Sequence, residues 1–151
     1  MSSVLLIRGS GEKFMESSTQ TAVSIKTLWA GRIISALPIL FLLMDGVMKL
    51  IKPAPVVEAT VKLGYSEAVI IPLGIVLLVC TVLYLIPQTS FFGAILLTGY
   101  LGGAVATHVR AGDPLFTHIL FPVYLGVMIW LGLYLRDNRL RVLVPLRSPS
   151  R

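Results

Sequence analysis

The sequence predicts an all-α integral membrane protein: a four-helix bundle with a short amphipathic interfacial helix between its first and second spans. Three observations carry this. Hydrophobic residues make up 56% of the 151 and charged residues only 13%. That charged share is about half the share of a soluble domain, too little to cover a soluble surface. Mean hydropathy is +0.87, which excludes disorder as well. Finally, residues 28–48, 68–86, 91–109 and 114–135 form four apolar stretches, each approaching or reaching the ~20 residues of a spanning helix. They far exceed the ~10 alternating residues of a barrel strand. Backbone in lipid must satisfy its own hydrogen bonds, so helices follow.

Residues 1–27 are rich in Ser and Thr with mixed charge and read as a mobile N-terminal tail. Val4-Leu5-Leu6-Ile7 is too short for a signal-peptide core, and Met15 opens an alternative start. The membrane domain covers residues 28–147, and residues 148–151 form a C-terminal tail. The first span carries Arg32 near its start and Asp45 near its end.

The following connection, residues 49–67, is long and patterned. Pro55 suits the first position of a helix and Gly64 its C-terminal cap. Val57, Thr60, Val61 and Gly64 share one face, while Glu58 and Lys62 are spaced i,i+4. This predicts a short amphipathic helix at the membrane surface.

The second span has no charged residue, and Cys80 within it reads as a small hydrophobe. A single cysteine excludes a disulfide framework and a C-x-x-C redox pair. Residues 87–90 and 110–113 are short links that make hairpins of the second, third and fourth spans. The third span contains His108 and the fourth His118. Pro38 and Pro122 fall within spans and free the carbonyls of Ile34 and His118. Trp29, Tyr65, Tyr84 and Tyr134 sit near span ends, where an aromatic belt places them.

The net charge of +6 belongs to topology and not to nucleic acid, because no basic surface is interleaved with aromatics. Four spans put both termini on one side, with nine Lys and Arg against four on the other. Both termini are therefore expected in the cytoplasm.

This topology gathers Asp45, Lys49, His108, His118 and Arg110 at the end of the bundle away from the termini. Asp45 and Lys49 lie one helical turn apart on one face. Two readings stand for this acid: a proton-handling or ligand-orienting group, or a structural ion pair anchoring the helix end. The histidines suit a quinone oxygen or a proton. Equally, they suit hydrogen bonds to the 110–113 link. They form no compact metal motif, so no metal is expected. Gly99, Gly102, Gly103 and Ala106 form overlapping small-x-x-x-small pairs that predict close helix packing. At 100° per residue His108 lies opposite Gly99, so the stripe and the histidine are expected to serve different neighbours.

The strings Asp45-Gly46-Val47-Met48-Lys49-Leu50, Lys52-Pro53-Ala54-Pro55 and Leu63-Gly64-Tyr65 have a further implication. With the third-span run from Gly93 to His108, and with Pro114-Leu115-Phe116 and His118 to Phe121-Pro122, the chain resembles the DoxX-like family of small four-helix bacterial membrane proteins. The resemblance implies a place in the bacterial cytoplasmic (inner) membrane. It also implies a link to thiosulfate:quinone oxidoreductase subunits and to complexes handling oxidative stress and thiol redox. The family offers no settled catalytic residues to transfer.

Three functions stay open. One is a redox-linked accessory subunit, at most part of a membrane oxidoreductase. It would have no cofactor of its own and would orient a quinone-like head group at the polar end. Another is a small-solute or proton carrier using Asp45. The third is a structural or assembly protein without chemistry. The expected partners are the lipid bilayer and either a redox protein or a second copy of the chain.

Overall fold

The structure is a computed structural model that describes residues 25–137, 140 and 141. The expected terminal tails and Met15 lie outside the described residues, except that residues 25–27 form the first turn of a helix. Helix α1 spans Ile25–Ile51, about 40 Å at 1.5 Å per residue. A short α2 covers Ala54–Lys62, and a 3-10 turn at Glu67–Val69 leads into α3, Ile70–Leu85. Helix α4 spans Ser90–Ala111 and α5 spans Phe121–Arg136. No strand occurs among the described residues.

The breaks have local causes. Pro53 disfavours a right-handed helical conformation in the residue before it, and Lys52 instead takes a left-handed one, φ 54°. Helix α2 stands where the amphipathic helix is expected, with Thr60 buried and Glu58 and Lys62 exposed. Its inner face is shifted from the expected one: Val56, Ala59, Thr60 and Leu63 line the bundle side, while Val61 and Gly64 are exposed. The helix ends in a Schellman cap. Gly64, at φ +86°, donates to the Val61 carbonyl, and Tyr65 donates to that of Thr60. The fourth span is not one helix. Pro122 stands in the first turn of α5, behind a π-helical turn at Leu115–Ile119 where the Leu120 amide reaches the Leu115 carbonyl at 2.9 Å. A proline near a helix start needs no amide donor, so the helix restarts there.

Helix α1 packs against α3 and α5, and α4 against the same two, which closes a ring of antiparallel neighbours. Leu42, Leu77, Leu97, Ile129 and Leu133 fill the ring and are at most 2% exposed. Large apolar side chains such as Ile33, Leu37, Leu40, Phe92 and Val127 point outward. A bundle that exposes this much apolar surface needs a lipid environment. By length and composition all four long helical segments can cross a membrane.

The end that carries the termini is closed by glycine and one tyrosine. A Cβ on Gly31 would meet the Gly132 carbonyl at 2.9 Å, and one on Gly93 would meet the Tyr84 Cα at 2.5 Å. The Tyr84 hydroxyl donates to the Ile129 carbonyl at 2.8 Å, so the Ser35 hydroxyl, 3.0 Å away, donates to it. The Arg136 guanidinium lies over the Tyr84 ring and bonds the Tyr84 carbonyl. Tyr84 is therefore a fully buried link between α1, α3 and α5 and not a belt residue. Its polar tip finds partners inside, which is the condition for burying a tyrosine.

Candidate functional site

At the other end the helices part around a cavity of about 600 Å³. Its polar part begins with the pair that helical spacing predicts. Lys49 Nζ donates to both carboxylate oxygens of Asp45, at 2.6 and 2.5 Å. The Lys49 side chain is 16% exposed and that of Asp45 33%. Gly74 of α3 fixes the lysine stem, since a Cβ there would lie 2.8 Å from Lys49 Cβ. The paired charges thus stand together at the cavity wall, each with the partner that a charge within a span requires.

Across the cavity, α4 supplies Tyr100, Thr107 and His108. The Thr107 hydroxyl donates to the Gly103 carbonyl at 2.9 Å, so the Tyr65 hydroxyl, 2.7 Å away, donates to Thr107. The Tyr100 hydroxyl has no hydrogen-bond partner among the described residues. Aliphatic and aromatic side chains form the remaining wall. Phe41 and Phe121 meet edge to face at 4.9 Å, and Leu42, Leu73 and Leu125 complete it. Helix α2 covers this end with Val56, Ala59, Thr60 and Leu63.

His108 is held by a helix cap. Gly112, at φ +72°, donates to the Val109 carbonyl, and the Asp113 amide donates to that of His108, 3.1 Å in each case. This is a second Schellman cap, whose geometry brings the two outer residues together. The usual apolar contact is here a polar one: His108 Nδ1 and Asp113 Oδ2 lie 2.7 Å apart. The hydrogen bond from His108 holds the Asp113 carboxyl below its ordinary value, outweighing partial desolvation.

The sequence-predicted residues therefore separate. Asp45, Lys49 and His108 line one cavity, while among the described residues Asp45 pairs with Lys49 and His108 with Asp113. His118 sits exposed in the π turn with its Nδ1 near Thr117 Oγ1, and its ring is 5.8 Å from that of His108. Arg110 does not line the cavity. It donates to the Leu63 carbonyl at 2.7 Å and braces the α2 cap at Gly64. Among the described residues no three His, Cys, Asp or Glu side chains gather as a metal would need.

The small-residue stripe faces no neighbouring helix among the described residues of the chain. A Cβ on Gly99, Gly102 or Gly103 would meet nothing within 4 Å, and Ala106 is exposed. Within the chain these residues pack no helix. Gly99 and Gly103 instead leave room for the cavity, and Gly102 lines a second, apolar groove of about 610 Å³ between α4 and α5. Gly99 and His108 also share the cavity, although they lie on opposite faces of α4, because the cavity reaches around half of that helix. The contact between His108 and Asp113 is the hydrogen bond to the 110–113 link that the sequence offers as one reading of this histidine. The structure adds Tyr100 and Thr107 to the site, and with Gly103 they follow helical spacing in the sequence.

Comparison with known families matches residues 33–132, well over half of the chain, to the DoxX-like family. The chain belongs to the DoxX-like family. No curated protein and no solved structure matches it significantly. Family and helices together make it a DoxX-type, multi-pass integral membrane protein.

Proposed function

We propose that this DoxX-like protein is an accessory subunit of a redox-linked membrane complex that holds the head group of a quinone-like lipid in the cavity under α2. The cavity itself is the observation that supports this. Its volume of about 600 Å³ lies within the range of small-molecule sites, ~300–1,000 Å³. Its wall is apolar enough for a ring and the start of a tail, and Asp45, Lys49, Tyr100 and His108 offer donors and acceptors at defined places. The internal Asp45–Lys49 pair leaves the site close to neutral, which suits an uncharged ligand better than an ion. Electrons would come from a partner chain, since the sequence carries no flavin, iron–sulfur or haem motif. In the bacterial inner membrane with cytoplasmic termini, the orientation that the Lys and Arg distribution favours, the cavity faces the periplasmic leaflet.

The test is mass spectrometry of lipids that copurify with the full chain in nanodiscs. A stoichiometric quinone is expected for the native protein, and its loss from Gly103→Leu, whose side chain enters the cavity. A chain that retains only phospholipid, or a variant that retains quinone equally, would remove this reading.

A further inference from the structure

The cavity holds a histidine whose two ring nitrogens are not equivalent. His108 Nδ1 is engaged by Asp113 Oδ2 at 2.7 Å, and the His108 and Asp113 side chains are only 22% and 25% exposed. The Gly112 cap sets that contact through the backbone, so it does not depend on two flexible side chains finding each other. An ionised carboxylate can only accept, and the carboxyl of Asp113 is held in that form. Nδ1 therefore carries the hydrogen and donates it. In the neutral ring this leaves Nε2 with a lone pair and no hydrogen. Nε2 has no hydrogen-bond partner among the described residues, on a side chain that lines the cavity.

We infer that His108 Nε2 accepts a hydrogen bond from a hydroxyl on the ligand head group, and that Asp113 is the positioning residue that fixes this tautomer. The inference rests on the reading of the cavity as a quinone-type site and deepens it. The site selects the reduced, hydroxyl-bearing form of the head group over the oxidised, carbonyl-bearing form. A carbonyl oxygen facing a ring nitrogen with a lone pair makes no bond, and both acceptors lose water on burial. The donors of the cavity, Lys49 Nζ and the Tyr100 hydroxyl, serve either form alike. Both Asp45 oxygens already accept from Lys49, so discrimination falls to Nε2, the acceptor on the wall that has no donor of its own among the described residues.

The experiment measures binding of a short-tailed benzohydroquinone and its matching quinone to the full chain in nanodiscs, without oxygen. It is run at pH 8. The native chain is expected to bind the hydroquinone about tenfold more tightly, the worth of one hydrogen bond in a partly dry site. Asp113→Asn frees the ring to turn or change tautomer, because an amide both donates and accepts, and the preference is expected to fall towards one. Asp113→Glu, which restores the carboxylate, is expected to recover part of it. His108→Phe should weaken the hydroquinone and leave the quinone nearly unchanged, a split that a merely misfolded variant would not give. Equal binding of the two forms by the native chain, or a preference that survives Asp113→Asn, would overturn this inference alone. Binding of neither form to the native chain would overturn it together with the quinone reading.

Discussion

The two ends of the bundle are made by the same helices, yet glycine has opposite effects in them. Towards the termini, Gly31, Gly93 and Gly132 let backbones come into direct contact, and Tyr84 ties the ring shut with buried hydrogen bonds. Towards α2, Gly99 and Gly103 face empty space. Helices α1 and α3 remain close there, through Gly46 and Gly74, and the cavity opens between α1, α4 and α5 under α2. The lesson is that a missing side chain brings helices together only when a partner surface reaches it. Without one, it leaves volume for something else. A tight end can set the helix spacing while the open end carries the polar groups at little risk to the fold.

Four experiments would break or sharpen this contrast. The largest effect is expected from Gly93→Ala. Its Cβ would overlap the Tyr84 backbone, and a forced separation of α4 from α3 should cost about 3 kcal/mol, the upper end for overpacking. Thermal unfolding in detergent measures it, and an unchanged Tm would mean that the tight end is not tight. Asp45→Ala comes next. It leaves the Lys49 ammonium without its partner, and because the pair is partly exposed the expected loss is about 1–3 kcal/mol, below the ~3–5 of a fully buried pair. Glu58→Ala on α2, which is exposed, serves as the control and should change stability by less than about 0.5 kcal/mol.

Gly103→Ala should act in the opposite direction to Gly93→Ala. With nothing within 4 Å of the new methyl, the helix gains about 0.5–1 kcal/mol from the better propensity of alanine. A fall in Tm would show that another surface occupies that space. The smallest effect concerns acid. The Asp113 carboxyl has a lowered pKa in the folded chain because His108 donates to it. Its contribution is therefore complete above the ordinary value of 3.8 and is lost as pH falls below that through the folded value. The Tm difference between native chain and Asp113→Asn should shrink over that interval in a detergent melt. A constant difference would mean that the charge of Asp113 is not what stabilises the cap.

Helical periodicity and local chain chemistry make most of the elements legible in the sequence, though not the π turn that breaks the fourth span before Pro122 or the cap at Gly112. The four spans, the hairpins and the amphipathic α2 with its Gly64 cap follow from hydrophobic run lengths and turn residues. The Asp45–Lys49 pair follows from one turn of helix. Each concerns residues on a single element or across a short link, where backbone geometry alone determines the distance. The tertiary structure decided how far apart the helices stand at each end. That spacing depends on which surfaces meet along the full crossing, and small residues allow close approach and empty space alike. So the burial of Tyr84, the open volume beside Gly99 and Gly103, and the place of Arg110 on the α2 cap appear only once the four helices are packed.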